Sequence, residues 1–198
     1  MKLNKNCPVY VFDTCALLDF ALKRTANHAD LLEKLSSHGQ YYYHPISLSE
    51  IATYLHEKVW QIVDKKATQA QNKQRIKKRQ HLLALLYAHR KHDNPGEYLY
   101  GRRFLPCHTT FEMFRRMAHQ RSQPQNLHQL NNKRCVVVST IIDHQILTAA
   151  ESLKHSKFDV TFISSDQDLL ATAAHLGVPW VDSKNPHRTT PFAWRGCV

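Results

Sequence analysis

The sequence predicts an α/β fold: a central, mostly parallel sheet flanked by helices, with a basic, mainly helical insertion. Three observations carry that expectation. The apolar runs VYVF (9–12), VTFI (160–163) and VPWVD (178–182) have the length of buried strands rather than of helices. The first two are each followed directly by a segment with helical spacing, and this alternation marks parallel strand–helix units. Finally, residues 65–134 hold 16 Lys/Arg against Asp93, Glu97 and Glu112, whereas the rest of the chain holds 11 Lys/Arg against 13 acids. A near-neutral body therefore carries a cationic segment between its two halves.

Taken in order, residues 9–12 form the first strand, and Asp13-Thr14 opens a helix over CALLDFALKRT. ADLLEKLSSHG (29–39) has helical spacing with Gly39 as its C-terminal stop. YYYH (41–44) reads as the second strand, closed by Pro45. Ser47-x-x-Glu50 then matches a capping box, with Ile51, Tyr54, Leu55 and Val59 on one side of the helix it starts. From Lys65 to Lys91 there is no acid, Gly or Pro, as in a long helix, and Asn94-Pro95-Gly96 is a turn signal. GRRFLPCH reads as irregular, TTFEMFRRMAHQR as a helix capped by Thr109 or Thr110, and 122–134 as a polar loop. CVVV (135–138) fits a strand or the lead-in to a helix equally well. From Ile141 onward the pattern is helical, with Ile142, Ile146, Ala149, Ala150 and Leu153 as its apolar stripe. VTFISS is a strand, DQDLLATAAHLG a capped helix ending at Gly177, and VPWVD a last strand. The tail from Ser183 reads as loosely ordered.

Bulk properties narrow the function. A chain of 198 residues, 42% of them apolar, fits a single domain spanning 1–198 with the insertion at about 65–134. No apolar run approaches the roughly 20 residues that span a bilayer. The N-terminus MKLNKNCPVYVF lacks the features of a secretory signal, so a cytoplasmic protein without a membrane partner is expected. The five cysteines are an odd number without a CxxC pair and read mainly as small core residues. The 14 histidines show no zinc-ligand spacing. The cationic segment calls for a polyanion, with nucleic acid ahead of an anionic membrane surface.

Four acids stand where elements begin or end: Asp13, Glu50, Asp143 and Asp166. In an open parallel sheet, residues just past the carboxyl ends of strands share one rim, where ligands bind. Carboxylates gathered there repel unless a hard cation such as Mg²⁺ or Mn²⁺ lies between them. Each acid also has an ordinary reading. Asp13 suits a helix N-cap, Glu50 the third position of a capping box, and Asp166 a first helical turn; Asp168, three residues after Ser165, fits capping. Asp143 resists such a reading, because it sits at the edge of an apolar stripe and costs free energy there unless paired. A salt bridge would serve, and a metal is the sharper reading.

These pieces together resemble the PIN-domain nucleases, in particular the VapC-type toxin branch. VYVFDTCALLDF, SLSEIA (47–52), STIIDHQILTAA (139–150) and VTFISSDQDLLATAAHLGV (160–178) carry the resemblance over most of 8–64 and 135–182. The strand ending in Ser-Asp-x-Asp is its most specific part. Two departures stand out: Cys15 where the family often has Asn or Ser, and a longer stretch between Glu50 and Asp143. The resemblance implies a PIN-like fold and a Mg²⁺- or Mn²⁺-dependent endoribonuclease, either a toxin of a toxin–antitoxin pair or an RNA-processing nuclease. It implies Asp13, Glu50, Asp143 and Asp166 as catalytic metal ligands, with Thr14, Ser164, Ser165 and Asp168 orienting ligands or water. It also implies RNA, single-stranded or with accessible loops, as substrate, and it admits an antitoxin and a homodimer as protein partners. Lys73, Arg75, Lys77, Lys78, Arg79, Arg90, Arg102, Arg103, Arg115 and Arg116 are the candidate phosphate contacts, and Tyr98, Tyr100 and Phe104 the candidate base-stacking rings. A non-catalytic RNA-binding module and a structure-specific DNA nuclease are the alternatives.

Overall fold

A computed structural model describes residues 7–22, 28–54, 68–74, 76, 77, 80, 104–107, 115 and 141–190. Five strands form one sheet: β1 (Val9–Phe12), β2 (Gln40–Tyr43), β3 (Phe104–Pro106), β4 (Val160–Ser164) and β5 (Trp180–Asp182). All pairs are parallel and the order is β3-β2-β1-β4-β5, so the predicted mostly parallel sheet is wholly parallel among the described residues. The helices whose bounds are described are α1 (Thr14–Leu22), α2 (His28–Lys34), α3 (Pro45–Tyr54), α4 (Ile141–His155) and α5 (Gln167–His175). No described helix is long and apolar enough to cross a membrane.

Alternation along β1 sets the two layers. Tyr10 and Phe12 pack with Leu17, Leu31, Leu35 and Ile51 of α1, α2 and α3. Val9 and Val11 face Ile146, Leu147 and Ala150 of α4 and Leu169, Leu170 and Ala173 of α5. A central parallel strand is buried on both faces, which is why VYVF has no charged member. In α4, Ile146, Ala149 and Ala150 are buried, with Ile142 and Leu153 packed at their margin, as the apolar stripe predicts.

Several local expectations are corrected. GRRFLPCH is not all irregular: Phe104–Pro106 pairs with Tyr41–Tyr43 as an edge strand, a position that tolerates Pro106. The sheet therefore draws a strand from within the basic segment. Phe104 is not a base-stacking ring, because it is buried against Phe12 (ring centroids 5.0 Å) and Tyr41 (5.5 Å). The helix predicted over 29–39 stops at Lys34. Two sheet tyrosines explain this: the Tyr10 hydroxyl accepts from Ser36 N (3.0 Å) and the Tyr41 hydroxyl donates to Ser36 O (2.7 Å), so the backbone at Ser36 is diverted into a turn. Ser47 and Glu50 are not a capping box, because α3 starts earlier, at Pro45, a favoured first helical residue. His44 takes the cap instead, its Nδ1 accepting from Ile46 N (3.2 Å). At α5 the expected stop holds: Gly177 has φ +63°, and the bonds Gly177 N to Ala174 O and Val178 N to Ala173 O form a Schellman closure. The segment after β5 is not loose up to Thr190. Its backbone returns beside β5, with Asp182 N bonded to Arg188 O (3.1 Å) and Thr190 N to Trp180 O (3.2 Å). Residues 191–198, CVVV at 135–138 and most of the basic segment lie outside the described residues.

Gly39 matters through space rather than as a helix stop. A Cβ there would lie 2.9 Å from Tyr10 Cδ2 and closer still to Cε2, and the Tyr10 ring is fully buried. Gly39→Ala is therefore expected to cost about 1–3 kcal/mol of stability through overpacking. A fall in the urea midpoint at unchanged m value, beside a near-neutral Ser37→Ala control, is the reading that checks it.

Candidate metal centre

Because every strand is parallel, the carboxyl ends of β1, β2 and β4 lie along one rim, and the predicted acids are placed from that rim. Asp13 directly follows β1, the middle strand. Its amide donates to Ile163 O (2.9 Å), and its carbonyl accepts from Leu17 N (2.9 Å) as the first bond of α1. The sheet ladder and the helix start thus fix its backbone from both sides. Asp166 follows β4. Glu50 lies in the second turn of α3, whose first residue is at the rim, and Asp143 lies in the first turn of α4, which enters from the same side.

The side chains bear on one another. Asp13 is 2% exposed, and its Oδ2 accepts from Ser164 Oγ (2.7 Å), itself fully buried at the end of β4. The same Ser164 oxygen accepts from Asp166 N (3.0 Å), so one hydroxyl links two of the four acids. Thr14 Oγ1 donates to Glu50 Oε2 at 2.5 Å, joining the start of α1 to α3. Thr14 and Ser164 thus each hold one of the acids through a hydroxyl hydrogen bond. Asp166 caps α5: its side chain accepts from Asp168 N (2.9 Å) and Leu169 N (3.1 Å). The N-cap is therefore Asp166, not Ser165, and Asp168 is exposed on the first turn.

The electrostatics are those of a buried acid among acids. Burial pushes the Asp13 carboxyl up from 3.8 to about 7; the Ser164 hydrogen bond opposes the rise, and the charges of Asp143 and Glu50 add to it. Glu50 is also raised, by burial first and by Asp143 in addition, against the Thr14 hydrogen bond. Cys15 is raised to about 12, through desolvation first and then the charges of Asp13, Asp166, Asp19 and Glu50. All of these acids therefore share one region. Asp19 was missed by the sequence reading. It is buried and accepts from Ser183 Oγ (3.3 Å), and its signal was an acid inside the otherwise apolar run CALLDFAL. Of the three cysteines described, only Cys107 is buried, and Cys15 is exposed, so the expectation of core cysteines fails for Cys15.

A hard divalent cation suits this donor set in kind, since the buried Asp13 has the carboxylates of Asp143 and Glu50 as its charged neighbours among the described residues. The geometry is looser: among the described residues no group of three or more His, Cys, Asp or Glu is placed to hold an ion. One oxygen each of Asp13 and Glu50 is taken by a hydroxyl, and one of Asp166 by two backbone amides.

Of the predicted phosphate contacts, Lys73, Lys77 and Arg115 are described, and all three are exposed. Arg75, Lys78, Arg79, Arg90, Arg102, Arg103 and Arg116, with Tyr98 and Tyr100, lie outside the described residues. Comparison of the chain with family models, with curated proteins and with solved structures finds no match.

The state of Asp13 gives a pH signature. An acid whose folded-state pKa exceeds its unfolded value stabilises the fold while protonated. That contribution is complete below about pH 3.8 and lost as pH rises through about 7. Ionising Asp13 without a counter-charge thus costs roughly 4 kcal/mol. Asp13→Asn keeps an acceptor for Ser164 and removes the charge. In EDTA it is expected to melt several degrees above the wild type at pH 8 and close to it at pH 4. Asp143→Asn, which removes one negative neighbour, should give a smaller gain of the same sign. Thermal unfolding across that range checks both, and a variant melting below the wild type at pH 8 would contradict the buried-charge account.

Proposed function

We propose that the protein is a metal-dependent endoribonuclease with a PIN-like fold. The observation that carries this reading is the buried Asp13 at the end of the central strand, raised to about 7, with Asp143 and Glu50 as its charged neighbours among the described residues. Such an arrangement opposes folding in the absence of a cation and suits one when it is present. The wholly parallel sheet and the positions of the acids along its rim support it, as does the resemblance of the motifs to PIN nucleases. Asp13, Glu50, Asp143 and Asp166 would hold Mg²⁺ or Mn²⁺, which when bound supplies activation of water and stabilisation of charge on the phosphoryl oxygens. Ser164 and Thr14 keep the carboxylates of Asp13 and Glu50 oriented by donating to one oxygen of each.

RNA is the substrate this reading favours, with the cationic segment as its binding surface; a toxin with a cognate antitoxin and an RNA-processing nuclease are the two settings it fits. A non-catalytic RNA-binding module is the second reading, favoured by the absence of a three-ligand group among the described residues.

Purified protein is expected to cleave single-stranded RNA with Mn²⁺ or Mg²⁺ and to stop in EDTA, with matched DNA cleaved far more slowly. Asp13→Asn, Asp143→Asn and Asp166→Asn should each reduce the rate by at least about a hundredfold, the scale of a lost electrostatic group in an active site, and Asp168→Asn by much less. RNA binding that persists without cleavage under any metal would favour the module instead.

The cationic segment has its own test. Replacing Lys77, Lys78 and Arg79 by Gln should weaken RNA binding across sequences. It should also flatten the log–log salt dependence by up to about 0.7 for each phosphate that is no longer neutralised. An unchanged slope would mean that these charges only solvate a helix.

A further inference from the structure

The loop that closes β5 is built around a buried acid. Asp182 is 4% exposed; its Oδ1 accepts from Lys184 N (2.9 Å) and Asn185 N (3.3 Å), and its Oδ2 accepts from Gln167 Nε2 (2.9 Å). One oxygen is thereby used inside the loop and the other on α5, and the Gln167 amide is fixed in one orientation. Its other end, Oε1, accepts from Arg188 Nη1. Arg188 is exposed, and among the described residues its guanidinium is held by this neutral amide rather than by a carboxylate. The loop is anchored at two further points. Ser183 N donates to Ser164 O (2.8 Å), on the residue whose hydroxyl binds Asp13, and Lys34 Nζ donates to His187 Nδ1 (3.0 Å). Arg188 thus rests against the first turn of α5, next in sequence to Asp166, on the rim that carries the acids.

Among the described residues only Gln167 takes a donor of Arg188, so most of its five donors and its whole charge are open to an outside partner. Beside a cluster of acids the partner with most to gain is a polyanion that must approach those acids. We propose that Arg188, positioned by Gln167 and Asp182, binds a backbone phosphate of RNA next to the cleaved bond. The planar guanidinium takes two phosphate oxygens at once and offsets the repulsion between the acidic rim and the strand. This rests on the ribonuclease reading of the rim. It adds a second, fixed cationic wall on the side formed by β5, distinct from the basic segment at 65–134.

The test measures single-stranded RNA binding in EDTA across a salt series, and KM and kcat with Mn²⁺, for the wild type, Arg188→Gln, Arg188→Lys and Gln167→Ala. Arg188→Gln is expected to raise Kd and KM about five- to tenfold and to lower the salt slope by about 0.7. It should leave kcat within about twofold and the melting temperature unchanged. Arg188→Lys should restore the slope but only part of the affinity, because the charge remains and the fork is lost. Gln167→Ala should weaken binding at full slope, as a positioning residue would. Unchanged Kd, KM and slope for Arg188→Gln, in a wild type that cleaves, overturns this inference alone. Weaker binding by Arg188→Gln in a wild type that binds but never cleaves upholds the contact and overturns the nuclease reading. A wild type that neither binds nor cleaves RNA overturns both.

Discussion

The hydrogen bond from Ser164 to Asp13 ties together the carboxyl ends of the two central strands, and the site depends on it. Asp13 sits where β1 gives way to α1, with its backbone held by β4 on one side and by the first helical bond on the other. Its carboxyl is therefore buried by position, not by choice of rotamer. A buried carboxyl without a cationic partner takes up a proton or a metal, or receives strong hydrogen bonds. Here the Ser164 hydroxyl and the Thr14 backbone only partly offset the burial, and the carboxyl stays raised to about 7. Near neutral pH it is poised between its neutral and its charged form.

Two hydroxyls, of Thr14 and Ser164, shape the rim in the same way. Each donates from one element to an acid on another, α1 to α3 and β4 to β1. The carboxylates are thus held in orientation while remaining mutually repulsive, an arrangement suited to a cation and costly without one. The β5 loop repeats the device with opposite charge: buried Asp182 spends its oxygens on backbone and amide donors, and the amide then aims an arginine outward.

Much of this was legible in the chain. The strands at 9–12 and 160–164, and the helices that follow them, carry their own periodicity and length. Asp13 and Asp166 are visible because they fall at the ends of those strands, and Asp143 because it stands at the edge of an apolar stripe. Where the reading failed, the cause was a long-range partner. Nothing local stops a helix at Lys34; the hydroxyls of Tyr10 and Tyr41 do, from two different strands. Ser47 and Glu50 had the right spacing for a capping box, but His44 and Pro45 began the helix sooner and left Glu50 for the rim. Phe104 looked like a stacking ring because Arg102 and Arg103 precede it, yet edge pairing with β2 buries it. Asp19 was passed over inside the apolar run CALLDFAL, and Arg188 had no motif around it.

By itself the sequence determined what depends on neighbours along the chain. It set the α/β alternation, the two-sided burial of β1, the glycine that closes α5, and the concentration of positive charge between two near-neutral halves. Burial and backbone conformation respond to runs of a few residues, so those features survive without coordinates. Only the tertiary structure decided that β3 comes from inside the basic segment and that burial outweighs like-charge repulsion in raising Asp13. It alone showed that Asp182 holds Gln167, and through it Arg188, at the start of α5. Each of these is set by atoms far apart in the chain and a few ångströms apart in space. Hydrogen bonding and desolvation depend on that second distance alone.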